Sequence, residues 1–418
     1  MSKSLKESNY YAGLDWASNH HELAIIGQDG LPVENVSFDD TDEGWCLFAQ
    51  KMQDYPCIGI CVELRRGPVI QRLLSLGIPV HPLDPSKTSK YRALESNSGN
   101  KTDKVDALAL GNALRLDSAK LPTLKPLPED VEKLRLLCEQ EEKLVEERTA
   151  RVNQLRAALR QYYPAMLDAF ADWTCKGAWD FLLSYSDQGN LEDADEADLL
   201  KRLAALRLNN ANKLEVRMRA LSKKRKPICP DGLEDVYAGQ AVFLAKQLNL
   251  IYTQLKSLGD QIWELYCELD KAGVVSSVPG AGKKLAPRLF VKLSVWESRV
   301  NGYGELQAVA GTCPRSFQTG QLHIVTIRKM CDKGFRQTMS QVAEKSTQKC
   351  PWAKVFYEEK TNGGKTCAMA NRALGNKWLK IIWKMWCTGK PYDSELHQRN
   401  QLKHGSWILG KMPSQNDN

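Results

Sequence analysis

Apolar and polar positions follow three different rhythms along this chain of 418 residues, and each marks a different kind of segment. In residues 9–115 short apolar runs alternate with helical stretches. Tyr10–Leu14, Glu22–Gly27 and Leu31–Phe38 read as strands, and Asp29-Gly30 supplies a turn signal, so the segment opens as an antiparallel meander. Asp42–Met52 reads as a helix. Ile58–Val62 is a continuous apolar run of the kind a buried central strand shows, and it is followed by a helix over Gly67–Leu76 and a strand over Ile78–Leu83. Three early strands followed by β-α-β alternation predict an α/β domain over residues 9–127, a mixed sheet covered by helices.

The second rhythm is heptad. Val131, Leu134, Cys138, Glu141, Val145, Arg148, Val152, Leu155, Leu159 and Tyr162 keep a 3,4 spacing, with Glu141 and Arg148 as its charged members. Ala241, Leu244, Leu248, Ile251, Leu255, Leu258, Ile262, Leu265 and Leu269 keep it with apolar residues alone. Such runs predict long helices with a coiled-coil seam in a region spanning 128–270. An antiparallel pair within the chain and an oligomerisation arm both satisfy the pattern. The insert between the runs, 163–240, holds an acidic helical piece (Leu191–Leu206) and a basic turn (Lys223–Pro227), and its role is not assigned by the pattern.

Residues 271–395 form a third, mainly α region, and residues 396–418 read as a polar tail. Val278-Pro-Gly-Ala-Gly282-Lys-Lys has the form of the turn in a helix-hairpin-helix motif. There, backbone N–H groups at Gly280 and Gly282 approach a phosphate and Lys283 and Lys284 add charge. Trp352, Phe356, Tyr357, Trp378, Trp383 and Trp386 are interleaved with seven Lys and Arg residues between 354 and 384. Most of those aromatics suit a helical core, and a minority suit stacking on bases.

Composition sharpens this division. The chain carries 58 Lys+Arg and 50 Asp+Glu, a net charge of +8. Residues 271–418 contain 24 of the basic and 9 of the acidic residues, so this third carries +15 while residues 1–270 carry −7. The basic character points to an anionic partner for the C-terminal region. No run approaches the roughly 18 apolar residues of a membrane span, and a cytoplasmic protein is expected. The twelve cysteines include no CxxC pair and no Cys/His cluster at zinc spacing, and read as small, reduced core residues.

Four acids stand apart by position. Asp15 ends the first strand, Glu63 ends the strand Ile58–Val62, and Asp103 and Asp106 share one helix face at i,i+3. Carboxylates so placed can converge on one point, and a cluster of this kind needs divalent cations to offset its repulsion. Two such ions about 4 Å apart grip a phosphodiester.

The order Gly-Leu-Asp15, Val-Glu63-Leu-Arg-Arg-Gly, Asn-Lys-Thr-Asp103-Lys-Val-Asp106-Ala, then Val-Pro-Gly-Ala-Gly and Ala310-Gly-Thr-Cys-Pro-Arg-Ser-Phe-Gln-Thr-Gly320 resembles the DEDD transposases with a RuvC-like N-terminal domain. This is the insertion-sequence family whose elements encode a bridge RNA, and it includes Piv-type DNA invertases. The resemblance covers about residues 9–160 and 271–395. It implies an RNase H/RuvC-like fold in which Asp15, Glu63, Asp103 and Asp106 hold Mg2+ (or Mn2+). It also implies a serine nucleophile in the C-terminal domain. Here Thr319 occupies that position, with the same nucleophilic atom but a β-branch that restricts χ1, and Ser316, one turn away, is its rival.

The reading that follows is a DNA transposase or site-specific recombinase, guided by a bridge RNA, working as a dimer or tetramer on the nucleoid of a bacterium or archaeon. Arg315, Lys329 and Arg336 are candidate phosphate clamps. The alternatives are a RuvC-like metal-dependent nuclease that resolves branched DNA and a non-catalytic, transposase-derived nucleic-acid-binding protein.

Overall fold

The computed structural model of the chain describes residues 10 to 410 other than 65, 96–101, 188, 190, 192, 224, 226, 231 and 409. Arg65, Asn100 and Lys101 of the acid-bearing motifs, Lys224 and Lys226 of the basic turn, and the end of the expected tail lie outside the described residues. The chain divides into two compact units, one ending at Leu127 and one beginning at Pro128.

The first unit is built on β1 (Tyr10–Trp16), β2 (His20–Ile26), β3 (Pro32–Asp39), β4 (Cys57–Val62) and β5 (Val80–Pro82), in the order β3-β2-β1-β4-β5. Residues 17–19 are too few to cross a sheet, so β1 and β2 pair antiparallel, as do β2 and β3. α1 (Asp42–Asp54) carries the chain back to the far side of β1, where β4 and then β5 pair parallel. The sheet is therefore mixed. α1 starts at Thr41, whose side chain accepts from Gly44 N–H at 3.2 Å.

Period-2 alternation divides the side chains of the central strands between two faces. Ala12 and Leu14 of β1, Leu23 and Ile25 of β2, and Ile60 and Val62 of β4 form one core with Trp45 and Phe48 of α1. Val69, Ile70 and Leu73 of α2 (Pro68–Ser75) complete it. The opposite face is covered by α4 (Asp103–Asp117), which packs on β1, β2 and β4 and is backed by α3 (Pro85–Glu95). The contact of α4 with β1 is backbone on backbone: a Cβ on Gly13 would collide with Ala107 O and Gly111 N. Gly111 in turn lies against Ile26, the register partner of Tyr11, and the Arg115 guanidinium sits 2.8 Å from where a Gly30 Cβ would be. α4 therefore runs antiparallel to β1, with its first turn directed toward the carboxyl end of that strand.

In the second unit α5 (Glu129–Tyr162) and α10 (Glu234–Leu269) pack on each other along their length. Val152–Tyr162, at the end of α5, shares a core with Ala241–Leu248, near the start of α10, so the pair is antiparallel and lies within one chain. The insert supplies α6 (Pro164–Ala169), α7 (Lys176–Ser184), α8 (Glu196–Ala205) and α9 (Ala211–Leu221). Its Trp173, Trp179, Phe170 and Phe181 wrap that end of the pair. Glu141, a charged member of the heptad run, is buried because Arg288 donates to it at 2.8 Å. Arg288 belongs to α11 (Leu285–Glu297), which is followed in the same unit by α12 (Tyr303–Val309), α13 (Lys333–Ser346), α14 (Pro351–Asn362) and α15 (Cys367–Thr388). Trp378 of α15 is fully buried and donates to Ser346 Oγ at 2.8 Å.

The C-terminal region is mainly helical, as expected, and adds one ribbon, β6 (Arg315–Thr319) and β7 (Leu322–Thr326). Two other expectations change. The expected tail begins as α16 (Ser394–Lys403), whose His397 lies 4.8 Å from Trp352, ring centre to ring centre. Cys61, Cys138, Cys229 and Cys350 are buried as expected, whereas Cys46, Cys267, Cys367 and Cys387 are exposed. Among the described residues no helix is long and apolar enough to cross a membrane.

The seating of α4 yields a paired prediction. Gly13→Ala forces α4 off the sheet and lowers stability by about 3 kcal/mol. Gly259→Ala, in α10 where nothing stands within 4 Å of an added Cβ, is neutral or raises stability by about 0.5–1 kcal/mol. Scanning calorimetry of both variants checks this, and equal unfolding profiles for the two would contradict the close approach of helix and strand.

Candidate active site

The face of the sheet toward α4 carries the acids. Gly13 faces α4, so Asp15, two residues on, faces the same way at the carboxyl end of β1. Cys61 packs with Leu110, Ala113 and Leu114 of α4, and Glu63 follows two residues later, just beyond the end of β4. Parallel pairing of Gly13 with Cys61 and Leu14 with Val62 brings the two acid-bearing strand ends side by side. Asp103 and Asp106 lie in the first turn of α4, where Thr102 caps the helix by accepting from Val105 N–H at 3.3 Å. Strand alternation and the direction of α4 thus place the four acid-bearing positions near one end of the sheet, the carboxyl edge at which open α/β sheets bind ligands.

The side chains are not closed into a ligand set. Among the described residues no three His, Cys, Asp or Glu side chains stand as a group able to hold a metal ion. Asp106 is 5% exposed and its carboxylate is ion-paired with Arg92 of α3; Asp103 is exposed, and Asp15 and Glu63 are half-buried. The donor chemistry fits a hard divalent cation, because every donor is a carboxylate oxygen. Engaging Asp106 would require its pairing with Arg92 to open.

Two neighbours of this site escape a reading of the sequence. Glu22 is the antiparallel register partner of Asp15 and shares its face. It is 7% exposed, accepts from Ser37 Oγ of β3, and lies 3.4 Å from His20 Nε2. The pKa of His20 is raised, first by its hydrogen bond with Asp39 at 3.0 Å and further by Glu22. Arg92 is the other. The sequence signal for Glu22 is its place in the second strand, but only the register sets it opposite Asp15.

In the second unit Thr319 and Ser316 lie on one exposed antiparallel ribbon, β6 with β7. The expectation that Ser316 sits one turn from Thr319 does not hold, since this segment is a strand. Residues three apart on a strand point to opposite faces. Thr319 shares its face with Arg315 and Phe317, and the Arg315 guanidinium lies 4.1 Å from the Phe317 ring centre. Ser316 shares the other face with Gln318. Thr319 pairs with Leu322 across the turn made by Gly320 (φ 53°) and Gln321, so it stands at the tip of the ribbon.

The base of the ribbon is clamped. Thr312 Oγ1 donates to Asn376 Oδ1 at 2.9 Å, and Gln307 Nε2 donates to Asn376 O at 2.7 Å. Asp332 caps α13 through Phe335 N–H at 2.9 Å, pairs with Lys292 at 3.0 Å and accepts from Trp296 Nε1 at 3.3 Å. Burial pushes the Asp332 carboxyl up, but Lys292 and these donors outweigh burial and hold it below its ordinary value.

The candidate phosphate contacts separate in kind. Arg315 and Lys329 are exposed, whereas Arg336 is half-buried and donates to Arg328 O at 3.3 Å. Gly282, Lys283 and Lys284 are exposed at the start of α11, with Lys283 Nζ 5.6 Å from the Trp263 ring centre. Gly280 is buried with φ 98°, and a Cβ there would fall 2.6 Å from Val342 O and 2.7 Å from Ser346 N. The close approach that this glycine permits is to α13 rather than to a phosphate.

Comparisons with known proteins place this chain, with its α/β unit and its basic, mainly helical unit, among transposases. A model described as a transposase matches residues 12–164, and a model of the IS116/IS110/IS902 family of transposases matches residues 272–358, together more than half of the chain. A mini-circle protein of Streptomyces coelicolor, named as a putative transposase for IS117, is 25% identical over 92% of this chain and 95% of its own. The transposase for insertion sequence element IS1111A of Coxiella burnetii is 23% identical over 89% of this chain and 92% of its own. The pilin gene-inverting protein of Moraxella bovis is 28% identical over 34% of this chain and 47% of its own. The chain belongs to the IS116/IS110/IS902 family of transposases and is a DNA transposase or recombinase.

The clamp at the ribbon base has a pH signature. Asp332→Asn costs about 2 kcal/mol near neutrality, since hydrogen bonds to a charged group are lost and Lys292 is left unpaired. The Asp332 carboxyl is held below its ordinary value of 3.8, so its contribution is complete above that value and is lost as the pH falls through the lower, folded value. Unfolding midpoints of the two proteins should therefore differ at neutral pH and converge in acid, and a constant difference would refute the pairing.

Proposed function

We propose that this chain cuts and rejoins DNA strands with two half-sites, the carboxylates Asp15, Glu63, Asp103 and Asp106 in a RuvC-like unit and the hydroxyl of Thr319 on the ribbon. The observation that supports the first half is the antiparallel seating of α4 on β1, which brings its first turn, with Asp103 and Asp106, toward the end of the sheet where β1 and β4 carry Asp15 and Glu63. Mg2+ or Mn2+ held by these acids would polarise the scissile phosphate and offset the charge that develops on it. Arg92 keeps Asp106 compensated until the acids are engaged.

Thr319 is favoured over Ser316 by its face. It stands at the tip on the face that also carries Arg315, whose guanidinium lies over the intervening Phe317 and supplies a cation for a phosphate on the same side. Attack forms a bond from Thr319 Oγ1 to phosphorus and breaks the bond from phosphorus to the leaving sugar oxygen, while the hydroxyl proton passes to solvent or a base. Reversal on a second strand rejoins DNA and restores the threonine.

Assembly of several chains is supported by apolar surface. Phe317, Leu322, Ile324 and Val325 of the ribbon are each at least 45% exposed, and a two-stranded ribbon is marginal alone in water. Phe243 and Leu250, one heptad apart on α10, are exposed at 60% and 65%, which supports coiled-coil packing between chains. A bridge RNA would select the DNA by base pairing and leave the protein to read backbone and shape. The threonine at the serine position also supports a hydrolytic reading, in which the acids alone cut branched DNA; that reaction would leave free ends rather than joined strands.

Two measurements test the proposal. With DNA and the element's own RNA, Thr319→Ala loses the covalent protein–DNA adduct while binding persists, Thr319→Ser keeps it, and Ser316→Ala leaves it unchanged; an adduct surviving Thr319→Ala would sink the assignment. Saturating Mn2+ at about a hundred times its dissociation constant should raise the stability of the chain by about 2.7 kcal/mol, and Asp15→Asn should reduce that gain.

A further inference from the structure

The lysine-rich stretch after the ribbon takes no part in either half-site. α15 presents Lys377, Lys380 and Lys384 at i, i+3 and i+7, on one helix face and over about 10 Å of axis. These residues line a groove of about 900 Å3 between α15 and α16, with Lys390 in the connection and Tyr392, His397, Asn400 and Gln401 along the wall. Among the described residues none of the four ammonium groups has an ion-pair partner. The acid at the groove, Asp393, is committed to capping α16, accepting from Leu396 N–H at 2.9 Å. The lysines repel one another: the Lys377 pKa is held below its ordinary value by partial burial and then by Lys360 and Lys380. A row of like charges on one helix face costs stability unless an anion lies along it.

The wall opposite the lysines is aromatic and held in place. His397 packs on Trp352 at 4.8 Å and 30°, and Trp352 Nε1 donates to Tyr392 Oη at 3.0 Å. Asn400 adds a side-chain amide, which has both donors and an acceptor, while the Gln401 amide nitrogen is held against His397 Nε2 at 2.8 Å and steadies that ring. A repeated row of cations facing rings and amides suits a ligand with repeated anions on one side and flat, hydrogen-bonding groups on the other. That is the chemistry of a nucleic acid strand whose bases are unpaired, since a base must leave its helix to stack on a side chain.

We propose that the groove between α15 and α16 holds a few unpaired nucleotides of single-stranded nucleic acid, with phosphates along Lys377, Lys380 and Lys384 and bases against Tyr392 and His397. The site is independent of whether Thr319 is the nucleophile. Its test uses the full chain and Lys380→Gln/Lys384→Gln, both lysines being exposed. Binding of labelled oligouridylate and oligothymidylate is followed across a series of salt concentrations. The slope of log affinity against log salt should become shallower by about 1.4 in the variant, about 0.7 for each phosphate that no longer meets a lysine. The oligonucleotide showing the larger change identifies RNA or DNA as the source. Photocrosslinking of the same strands carrying 4-thio bases should label the peptide containing Tyr392 or His397 in the unmodified protein. Unchanged slopes for both strands, crosslinks confined to other peptides, or an equal loss of affinity for polyglutamate, which has no bases, would overturn the site.

Discussion

The first unit depends on how closely α4 approaches β1. With no side chain at Gly13 or Gly111, helix and strand meet backbone to backbone, and the helix is held at one height and in one direction. That approach sets Asp103 and Asp106, in the first turn of α4, against the sheet end where strand alternation and parallel register already place Asp15 and Glu63. A Cβ at Gly13 would lift the helix and separate two acids from two others, although none of the four touches the glycine. Arg92 and Glu22 belong to the same arrangement, one compensating Asp106 and the other lying opposite Asp15.

The second unit pairs firm anchoring with exposure. Its buried Glu141 is matched by Arg288, its buried Arg135 by Glu132 and Glu139, and its half-buried Asp332 by Lys292, which is the condition under which burying charge is tolerable. Around them Trp378, Phe335 and Met339 make a conventional packed interior. Chemistry-bearing groups lie outside it: Thr319 on a ribbon fixed at its base and exposed along both strands, and the lysines of α15 on the rim of a groove. A ribbon of this kind gives a hydroxyl reach, at the cost of leaving Phe317 and Ile324 in water until something covers them.

Much of this is legible in residue order. The opening meander, the central strand ending at Glu63, the helix bearing Asp103 and Asp106, and the two long helices follow from periodicity, which reports local conformation and the buried face. Other features resist for definable reasons. Arg315–Thr319 alternates over too few residues to separate a strand from a helical turn, so residue order alone puts Ser316 wrongly one turn from Thr319. The Gly280 turn has the look of a phosphate cradle because glycine signals close backbone approach without saying to what. His397 reads as part of a tail because a short polar helix carries no apolar stripe of its own, and its ordering here comes from aromatic contacts of His397 with Trp352 and Tyr392.

Residue order is sufficient to specify the reactive groups and the charge division, −7 before residue 271 and +15 after it, because these are properties of residues in sequence. The two heptad runs likewise require that long helices form. Tertiary packing alone selects the pairing of α5 with α10 within the chain, the place of Glu22 opposite Asp15, the opposite facing of Thr319 and Ser316, and the confrontation of α15 lysines with aromatic residues of α14 and α16. Periodicity fixes which way a side chain leaves its own backbone. What it then meets depends on register, helix direction and close backbone approach between segments far apart in the chain, and these are settled only when the interior is packed.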